Sequence, residues 1–298
     1  MFPGRIIAPG RSHRSHMPIV RIIDAEDSRI AGYRNTTDGV LLRELGLFVA
    51  EGRLVVRALL EASRVRARSL LLTGGALDDL RDLVGDHTPI PVYVADTSVM
   101  SDIVGFNIHR GCLGLGVRPS PPSIAELIGA PLPATAAGPA FGQTEQPVSR
   151  VIVLEAVSNL DNLGGIFRSM AALGGHAVII GPGCGDPLYR KAIRTSIGAV
   201  LRVPFAPATA WPGALHELQA SGFTLVGLTP DARAEPLEAV AADLRARARV
   251  ALVVGAEGAG LSAAALRCAD VRVRIPMAPG IDSLNVNTAA AIALYRIA

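Results

Sequence analysis

The sequence is poor in cysteine, and its three cysteines lie far apart. Cys112, Cys184 and Cys268 show no CxxC spacing, which argues against a disulfide framework and against structural zinc. Such cysteine usage is typical of a reducing compartment, so we expect a cytoplasmic protein.

Long apolar runs are also absent. No run approaches the roughly 20 residues that a membrane-spanning helix needs, so we expect no membrane partner. Residues 1–16 hold three arginines and no acidic residue, but no apolar stretch of signal-peptide length. We expect them to form a disordered leader, or to precede a natural start at Met17.

Lysine is nearly absent, since Lys191 is the single lysine among 29 basic residues. The arginines suit bidentate contact with phosphate, although a GC-rich coding sequence would produce the same bias. The formal net charge of +3 comes from residues 1–16, and the rest of the chain is balanced. Net charge therefore does not argue for a nucleic-acid partner, and only a local arrangement of arginines could.

Motifs of several common enzyme classes are missing. The lack of GxGxxG at the first strand–helix turn, of GxxxxGK[ST] and of GxSxG disfavours an oxidoreductase, a P-loop NTPase and an α/β-hydrolase. The six histidines show no HExxH or other ligand spacing, so we expect no metal. Cys184 has no histidine nearby in sequence, and we interpret it as a packed cysteine, with a nucleophile as the alternative.

Apolar runs of five to seven residues alternate with helix-period runs, which predicts an α/β fold with a mostly parallel sheet. We predict a small α/β domain at 17–118, a Pro/Ala/Gly-rich linker at 119–148 with a possible short helix at SIAELIG, and a second α/β domain at 149–298. The predicted strands are 47–52, 67–73, 90–96, 111–117, 150–157, 176–182, 201–205, 223–230, 249–260 with its turn, and 270–278. The predicted helices are 53–63, 75–86, 97–106, 162–175, 187–200, 214–222 and the run after SLNVN.

Three polar segments directly follow predicted strands of the second domain. They are SNLDNLGGIFRS, GAEGAG and PMAPGIDSLNVN. In an open parallel sheet, ligands bind outside the carboxyl ends of the strands, so we expect the chemistry there. Each feature has an ordinary alternative: Arg168 also fits a surface arginine, and GAEGAG also fits a plain glycine-rich turn.

Together these segments resemble the SpoU, or TrmH-like, branch of the SPOUT RNA 2′-O-ribose methyltransferases. NLGGIFR matches N-x-G-x-x-x-R, and GAEGAGLS matches G-x-E-x-x-G-x-S. IPMAPGIDSLNVNTAAAI resembles I-P-M-x-G-x-x-x-S-L-N-V-S-x-A-x-A-I, and DPLYRKAIRTSIGAVLRVPF resembles a segment with R-x-S-x-G-A. The resemblance covers residues 150–298, with two departures: Pro279 stands before Gly280, and Asn287 replaces the usual serine.

The resemblance implies a fold and an assembly that composition does not reveal. The C-terminal domain is expected to contain a deep trefoil knot and to form a homodimer with the active site beside the interface. The first domain, with FVAEGRLVVRALL, more loosely resembles a ribosomal-protein-L30e-like domain that binds the RNA substrate.

The resemblance also implies a reaction, the transfer of a methyl group from S-adenosylmethionine (SAM) to a ribose 2′-hydroxyl, with no metal. The implied catalytic residues are Arg168, Asn162, Glu257, Ser283 and Asn285. The implied SAM-binding residues are Gly181, Gly255, Ala256, Glu257, Gly258, Ile275, Met277, Leu284 and Asn285. Arg168 is expected to act on the hydroxyl, either as the base or as a cation that orients it and stabilises the oxyanion.

RNA is the expected partner, and the two-domain build favours large-subunit ribosomal RNA over transfer RNA. Candidate phosphate contacts, each of which also fits a solvated surface charge, are Arg21, Arg29, Arg34, Arg53, Arg57, Arg190, Lys191 and Arg194. The alternative from another class is a non-catalytic RNA-binding protein that kept the fold.

Overall fold

A computed structural model of the chain describes residues 19–34, 37–85, 89–105, 107–108, 111–129 and 148–298. The predicted leader at 1–16 and most of the predicted linker at 119–148 lie outside the described residues. The strands are β1 (Ile19–Arg21), β2 (Leu47–Glu51), β3 (Arg66–Leu72), β4 (Val92–Val94), β5 (Cys112–Val117), β6 (Ser149–Leu154), β7 (Ala177–Ile180), β8 (Phe205–Pro207), β9 (Thr224–Leu228), β10 (Glu235–Pro236), β11 (Arg249–Val254) and β12 (Val271–Arg274). The α-helices are α1 (Asp38–Arg43), α2 (Arg53–Glu61), α3 (Gly74–Asp79), α4 (Arg81–Val84), α5 (Thr97–Val104), α6 (Ile124–Gly129), α7 (Leu160–Ala172), α8 (Arg190–Thr195), α9 (Ala199–Arg202), α10 (Gly213–Ala220), α11 (Leu237–Ala246), α12 (Ala263–Cys268) and α13 (Val286–Ile297). A 3-10 helix spans Ser28–Tyr33.

The first five strands form the N-terminal sheet, in the order β1-β4-β3-β5-β2. β1, β4 and β3 are parallel, whereas β5 runs antiparallel to both of its neighbours. Two glycines of β5 allow close packing on this strand, since a Cβ at Gly114 would lie 2.8 Å from Leu59 and one at Gly116 would overlap the Phe48 ring. The N-terminal sheet is therefore mixed.

The remaining strands form the C-terminal sheet, in the order β10-β12-β9-β11-β6-β7-β8, and every pairing in it is parallel. Alternate residues of the buried strands face two separate apolar cores, as expected for a sheet covered on both faces. One core holds α7, α8, α9, α11 and α13, and the other holds α6, α10 and α12. The predicted α/β class with mostly parallel sheets is confirmed.

Some predicted elements differ in their bounds. The predicted helix at 75–86 is two short helices that meet at Leu80, and the one at 187–200 is divided into α8 and α9 by a turn at Ile197–Gly198. Because α9 continues to Arg202, the strand predicted at 201–205 begins only at Phe205. The strand predicted at 223–230 ends at Leu228. The short helix expected within 119–148 is α6, which packs on the C-terminal sheet.

The two sheets are joined through α8 and α9, which contact β2 and α2. Arg202 and Glu61 form an ion pair at 2.7 Å, and the backbone amide of Arg190 donates to Asp38 at 2.9 Å. No described helix is long and apolar enough to cross a membrane.

Candidate active site

A cleft of about 340 Å³ lies at the carboxyl ends of β9, β11 and β12. Its walls are formed by the residues that follow these strands and by the segment before α13. The lining residues are Leu228, Thr229, Pro230, Val254, Gly255, Ala256, Glu257, Gly258, Gly260, Ile275, Met277, Asp282, Ser283, Leu284, Val286 and Ala289. The cleft is largely apolar with two carboxylates, which is the composition of a small-molecule site.

The loop after β11 is closed on itself and anchored from behind. Ala256 and Gly260 form an isolated antiparallel bridge, and Gly258 and Gly260 both have positive φ, which a glycine adopts without strain. The buried carboxylate of Glu155, just beyond β6, accepts a hydrogen bond from the Ser262 amide at 2.8 Å. This bond fixes the loop relative to the sheet.

Three polar side chains from separate elements, Asn162, Glu257 and Asn285, are joined by hydrogen bonds. The Asn162 and Asn285 Nδ2 atoms each donate to Glu257 Oε1 at 2.9 Å. Asn285 Nδ2 also donates to Asn162 Oδ1 at 2.7 Å. We call these three residues the amide–carboxylate cluster. It joins the first turn of α7, the loop after β11 and the start of α13.

Each helix that supplies a cluster residue has a side-chain N-cap. Asn159 Oδ1 accepts from the Asp161 and Asn162 amides at 2.8 and 3.3 Å at the start of α7. Asn285 Oδ1 accepts from the Asn287 and Thr288 amides at 3.0 and 3.3 Å at the start of α13. The caps set the direction in which both helices leave the cluster.

Most of the predicted site residues lie in this region. Those that line the cleft are Gly255, Ala256, Glu257, Gly258, Ile275, Met277, Ser283 and Leu284. Asn162 and Asn285 adjoin it through Glu257. Ser283 makes no hydrogen bond to the cluster within the described part of the chain.

Gly181 does not line the cleft. It follows β7, two strands away from β11, and its amide donates to the Leu154 carbonyl at 2.8 Å. A Cβ at Gly181 would overlap that carbonyl and approach Trp211 at 3.3 Å, so its lack of a side chain serves packing.

Arg168 is not part of the amide–carboxylate cluster either. It lies six residues after Asn162 on α7, and at about 100° per residue the two side chains point to different sides of the helix. Asn162 is buried and Arg168 is exposed. Among the described residues, none forms a hydrogen bond or an ion pair with the Arg168 guanidinium.

Several cleft residues lie outside the set predicted from sequence. Thr229 and Pro230 were assigned to the strand at 223–230, but β9 ends at Leu228 and both residues line the cleft. Asp282 lies within the PMAPGIDSLNVN segment but is not among the predicted site residues, and it also lines the cleft. The rule that ligands bind at the carboxyl ends of parallel strands was the available signal for all three.

The start of α7 carries further charge next to the cluster. Asp161 forms an ion pair with Lys191 at 2.7 Å and accepts a hydrogen bond from Thr195 at 3.1 Å. The hydrogen bond from Lys191 lowers the pKa of Asp161.

Burial raises the pKa of Cys184, which disfavours the thiolate that a nucleophile needs.

Most candidate phosphate contacts already have an acidic partner. The pairs are Arg21–Asp96, Arg29–Asp27, Arg34–Glu26, Arg53–Asp79, Arg57–Asp82 and Lys191–Asp161. Arg194 is exposed and has no ion pair or hydrogen bond with any residue that the structure describes. Within the same residues, no group of three or more His, Cys, Asp and Glu is placed to hold a metal.

Comparison with known proteins relates the chain to a family. The model of the SpoU rRNA methylase family matches residues 149–295. An uncharacterised tRNA/rRNA methyltransferase of Mycobacterium tuberculosis is 42% identical over 290 residues, which cover 95% of this chain and 93% of that protein. An uncharacterised tRNA/rRNA methyltransferase of Mycobacterium leprae is 36% identical over 155 residues, covering 52% of this chain and 48% of the relative.

Solved structures extend the similarity to both sheets. The AdoMet-bound rRNA methyltransferase from Sinorhizobium meliloti matches with a TM-score of 0.71 at 23% identity, covering 94% of this chain and 97% of that one. A structure described as an RNA 2′-O ribose methyltransferase matches with a TM-score of 0.69 at 25% identity, covering 93% of this chain and 98% of that one. The N-terminal and C-terminal sheets thus occur together in other proteins.

Proposed function

Because the chain belongs to the SpoU family of RNA methyltransferases, we propose that it transfers a methyl group from SAM to a ribose 2′-hydroxyl of RNA. The observation that carries the proposal is the cleft at the ends of three parallel strands, with the amide–carboxylate cluster at Glu257. The similarity to an RNA 2′-O ribose methyltransferase favours the ribose hydroxyl over a base atom.

The cleft fits SAM in size and chemistry. Its volume of about 340 Å³ is within the range of small-ligand sites. Ile275, Met277 and Leu284 offer apolar walls for the adenine, and exposed backbone of the loop after β11 offers polar groups for the ribose. Glu257 and Asp282 supply negative charge for the cationic parts of the ligand. When bound, SAM supplies a methyl group already activated on a sulfonium, so the protein needs no covalent intermediate.

We propose that the amide–carboxylate cluster holds the reacting edge of the cleft in place. Glu257 accepts both amide donors, so its carboxylate is oriented before any ligand arrives, and alignment of reactants is the main contribution that the protein can make. Ser283, which lines the cleft beside the start of α13, is proposed to contact the substrate ribose.

We propose that Arg168 orients the ribose hydroxyl or its phosphate and stabilises the developing oxyanion. Arginine is effectively always protonated, which suits this task better than that of a base. Arg168 is exposed and separate from the cluster. We therefore propose that bound RNA or a second protomer completes the site around it.

We propose that residues 17–118 bind RNA and that residues 149–298 carry the catalytic site. We also propose that α13 takes part in a homodimer, since Ile292 and Tyr295 are exposed on it. Ribosomal RNA is favoured, because a solved structure that covers both sheets is described as an rRNA methyltransferase. Transfer RNA is the alternative, and the deep trefoil knot stays a prediction.

The decisive experiment combines binding with product analysis. Calorimetry with SAM is expected to show saturable binding to the protein. With labelled SAM, the protein is expected to methylate total RNA from a strain that lacks the gene. Nuclease digestion and mass spectrometry should then identify a 2′-O-methylnucleoside. Absence of SAM binding at millimolar concentration would instead support a non-catalytic RNA-binding protein, and a methylated base would refute the ribose assignment.

A further inference from the structure

A second groove, of about 660 Å³, lies where the start of α2 faces the turn between α8 and α9. We call it the junction groove. Arg53, Leu54, Arg194, Thr195 and Ile197 line it. Two of its lining side chains are cationic and three are apolar, of which Leu54 and Ile197 are exposed and Val55 is buried. The groove lies between the two sheets.

Ile197 occupies a position in the groove that favours glycine. The Gly198 amide donates to the Ile193 carbonyl at 2.9 Å, and the Ile197 amide donates to the Arg194 carbonyl at 3.0 Å. This is the hydrogen-bond pattern of a Schellman motif, and its left-handed residue is usually glycine. Here that residue is Ile197, with φ of 52°. A β-branched residue in this conformation is strained.

The strained turn is held in place by packing against α2. Gly198 also has positive φ, and a Cβ there would lie 2.6 Å from the Ala58 Cβ. The turn thus packs closely on α2, while the Ile197 side chain beside it is 41% exposed. Leu54, on the α2 side of the groove, is 67% exposed. A strained backbone that presents a largely exposed apolar side chain is costly for folding, which points to a function in binding.

The charges of the groove favour an anionic partner. Arg194 is exposed and forms no ion pair or hydrogen bond among the described residues, although its charge helps to lower the pKa of the nearby Asp161 carboxyl. Arg53 is paired with Asp79 at the surface. Apolar side chains beside an exposed guanidinium whose hydrogen-bond donors are unused match a nucleotide, whose base packs on apolar or planar groups and whose phosphate accepts bidentate hydrogen bonds.

The groove is connected to the amide–carboxylate cluster by direct contacts. Thr195, which lines the groove, donates to Asp161 at 3.1 Å, and Asp161 precedes Asn162 of the cluster. The junction groove and the amide–carboxylate cluster therefore both border the start of α7.

We propose that the junction groove binds a nucleotide that flanks the methylated one in the RNA strand. Its base lies on Ile197 and Leu54, and Arg194 contacts its phosphate. The inference rests on the proposed function, because it assigns part of the substrate path of the same enzyme. Recognition of an unstacked base beside the target would contribute to the choice of RNA.

The test uses the full chain, and the probe is total RNA from a strain that lacks the gene. Glycine and asparagine both adopt the left-handed backbone conformation readily. Ile197→Gly and Ile197→Asn therefore remove the apolar side chain and keep the turn. We expect either one to weaken RNA binding roughly five- to tenfold while the melting temperature stays the same or rises. A purely structural role for Ile197 would leave RNA affinity unchanged.

The charge is tested separately with Arg194→Gln. Filter binding at several salt concentrations should show the slope of log affinity against log salt reduced by about 0.7, the value for one phosphate contact on a single strand. Ile197→Asn should leave that slope unchanged. Arg267→Gln on α12 is the matched control for charge. Leu54→Ser removes the other exposed apolar side chain of the groove and should also weaken RNA binding, with Leu45→Ser, at a residue that is 54% exposed, as its control.

The outcomes separate this inference from the proposed function. If the wild-type chain does not bind SAM or methylate RNA, the proposed function fails whatever the groove does. If the wild type is active and the groove variants keep both its RNA affinity and its salt slope, the groove inference is overturned. It is also overturned if the variants change only the mass in solution, because the groove would then be an interface between copies of the chain.

Discussion

The side-chain amide of Asn285 serves two structures at once. Its oxygen caps α13 by accepting from the Asn287 and Thr288 amides, and its nitrogen donates to Asn162 and Glu257. An amide can do both because it carries an acceptor and two donors. This explains why a polar turn precedes the last apolar helix of the chain.

Substitution of Asn285 should separate the two tasks. Asn285→Asp keeps a capping oxygen but loses both donors and places a second carboxylate beside Glu257. We expect nearly normal stability and a loss of methyl transfer on the order of a hundredfold, the size typical of misplaced reacting groups. Asn285→Ala should also lower the free energy of unfolding by about 1 kcal/mol. Urea unfolding and single-turnover methylation measure the two effects, and equal activity of Asn285→Asp and wild type would contradict the assignment.

Arg168→Ala is expected to abolish methyl transfer and to leave SAM affinity largely intact. The side chain is exposed and does not line the cleft, so its removal should not disturb the SAM site. Calorimetry and a methyl-transfer assay on the same preparation provide the test, with the exposed Arg267→Ala as the control. Turnover near the wild-type level would show that Arg168 is an ordinary surface residue.

Asn287, where the resembled motif has serine, packs against α7. Its amide packs on Gly165 of α7, where a Cβ would lie 2.5 Å from Asn287 Nδ2, and Ser169 Oγ donates to Asn287 Oδ1 at 3.4 Å. The longer side chain fills space that is open because residue 165 is glycine.

A double-mutant cycle tests this pairing. Gly165→Ala should destabilise the protein by about 1–2 kcal/mol, because the new methyl group displaces the Asn287 amide. The cost should fall when Asn287→Ser is added, since serine is shorter. Urea unfolding of the four proteins measures the coupling, and additive effects would show that the two positions are independent.

At the scale of elements, Arg150 joins the ends of two helices to the C-terminal sheet. Its buried guanidinium donates to the Ile297 carbonyl at 2.6 Å, at the end of α13, and to the Arg245 and Arg247 carbonyls at 3.1 and 3.0 Å, at the end of α11. A cation at the carboxyl end of a helix is favourable. Burial lowers the pKa of Arg150 to about 10, so the group stays charged at neutral pH.

Arg150→Met should therefore destabilise the protein by about 3 kcal/mol or more, because several buried carbonyls lose their donor. Arg249→Met is the control: Arg249 starts β11 and donates to the Ser221 carbonyl at 2.8 Å from an exposed position. Its effect should stay within about 0.5 kcal/mol. Denaturant unfolding compares the two, and similar losses would mean that Arg150 is not a special anchor.

At the scale of the whole molecule, the proposed dimer gives the next prediction. Tyr295 on α13 is 59% exposed, and Ile292 is one turn before it. Tyr295→Asp should halve the mass measured by light scattering and reduce methyl transfer, because a charge in an apolar interface is costly. Ile23→Asp, at an exposed apolar residue near β1, is the control. A monomeric wild-type chain would contradict the dimer.

The sequence by itself determined the fold class and most of the cleft. Strand and helix periods predict the α/β class, and motif order indicates the segments at Glu257 and Asn285 that meet at the carboxyl ends of the strands. These patterns are local in the sequence, so they can be recognised without knowledge of long-range contacts. The bounds of α8 and α9 were not predictable in this way, because the turn at Ile197 depends on packing of Gly198 against α2.

Only the tertiary structure decided which polar residues share hydrogen bonds and which face solvent. Asn162 and Arg168 belong to the same motif, so the sequence assigns both to the site. In the structure, α7 directs Asn162 toward Glu257 and Arg168 toward solvent. Gly181 follows a strand as Gly255 does, but the strand order places it away from the cleft. The physical reason is that strand order and helix rotation depend on contacts between residues far apart in the chain, which a periodic pattern does not encode.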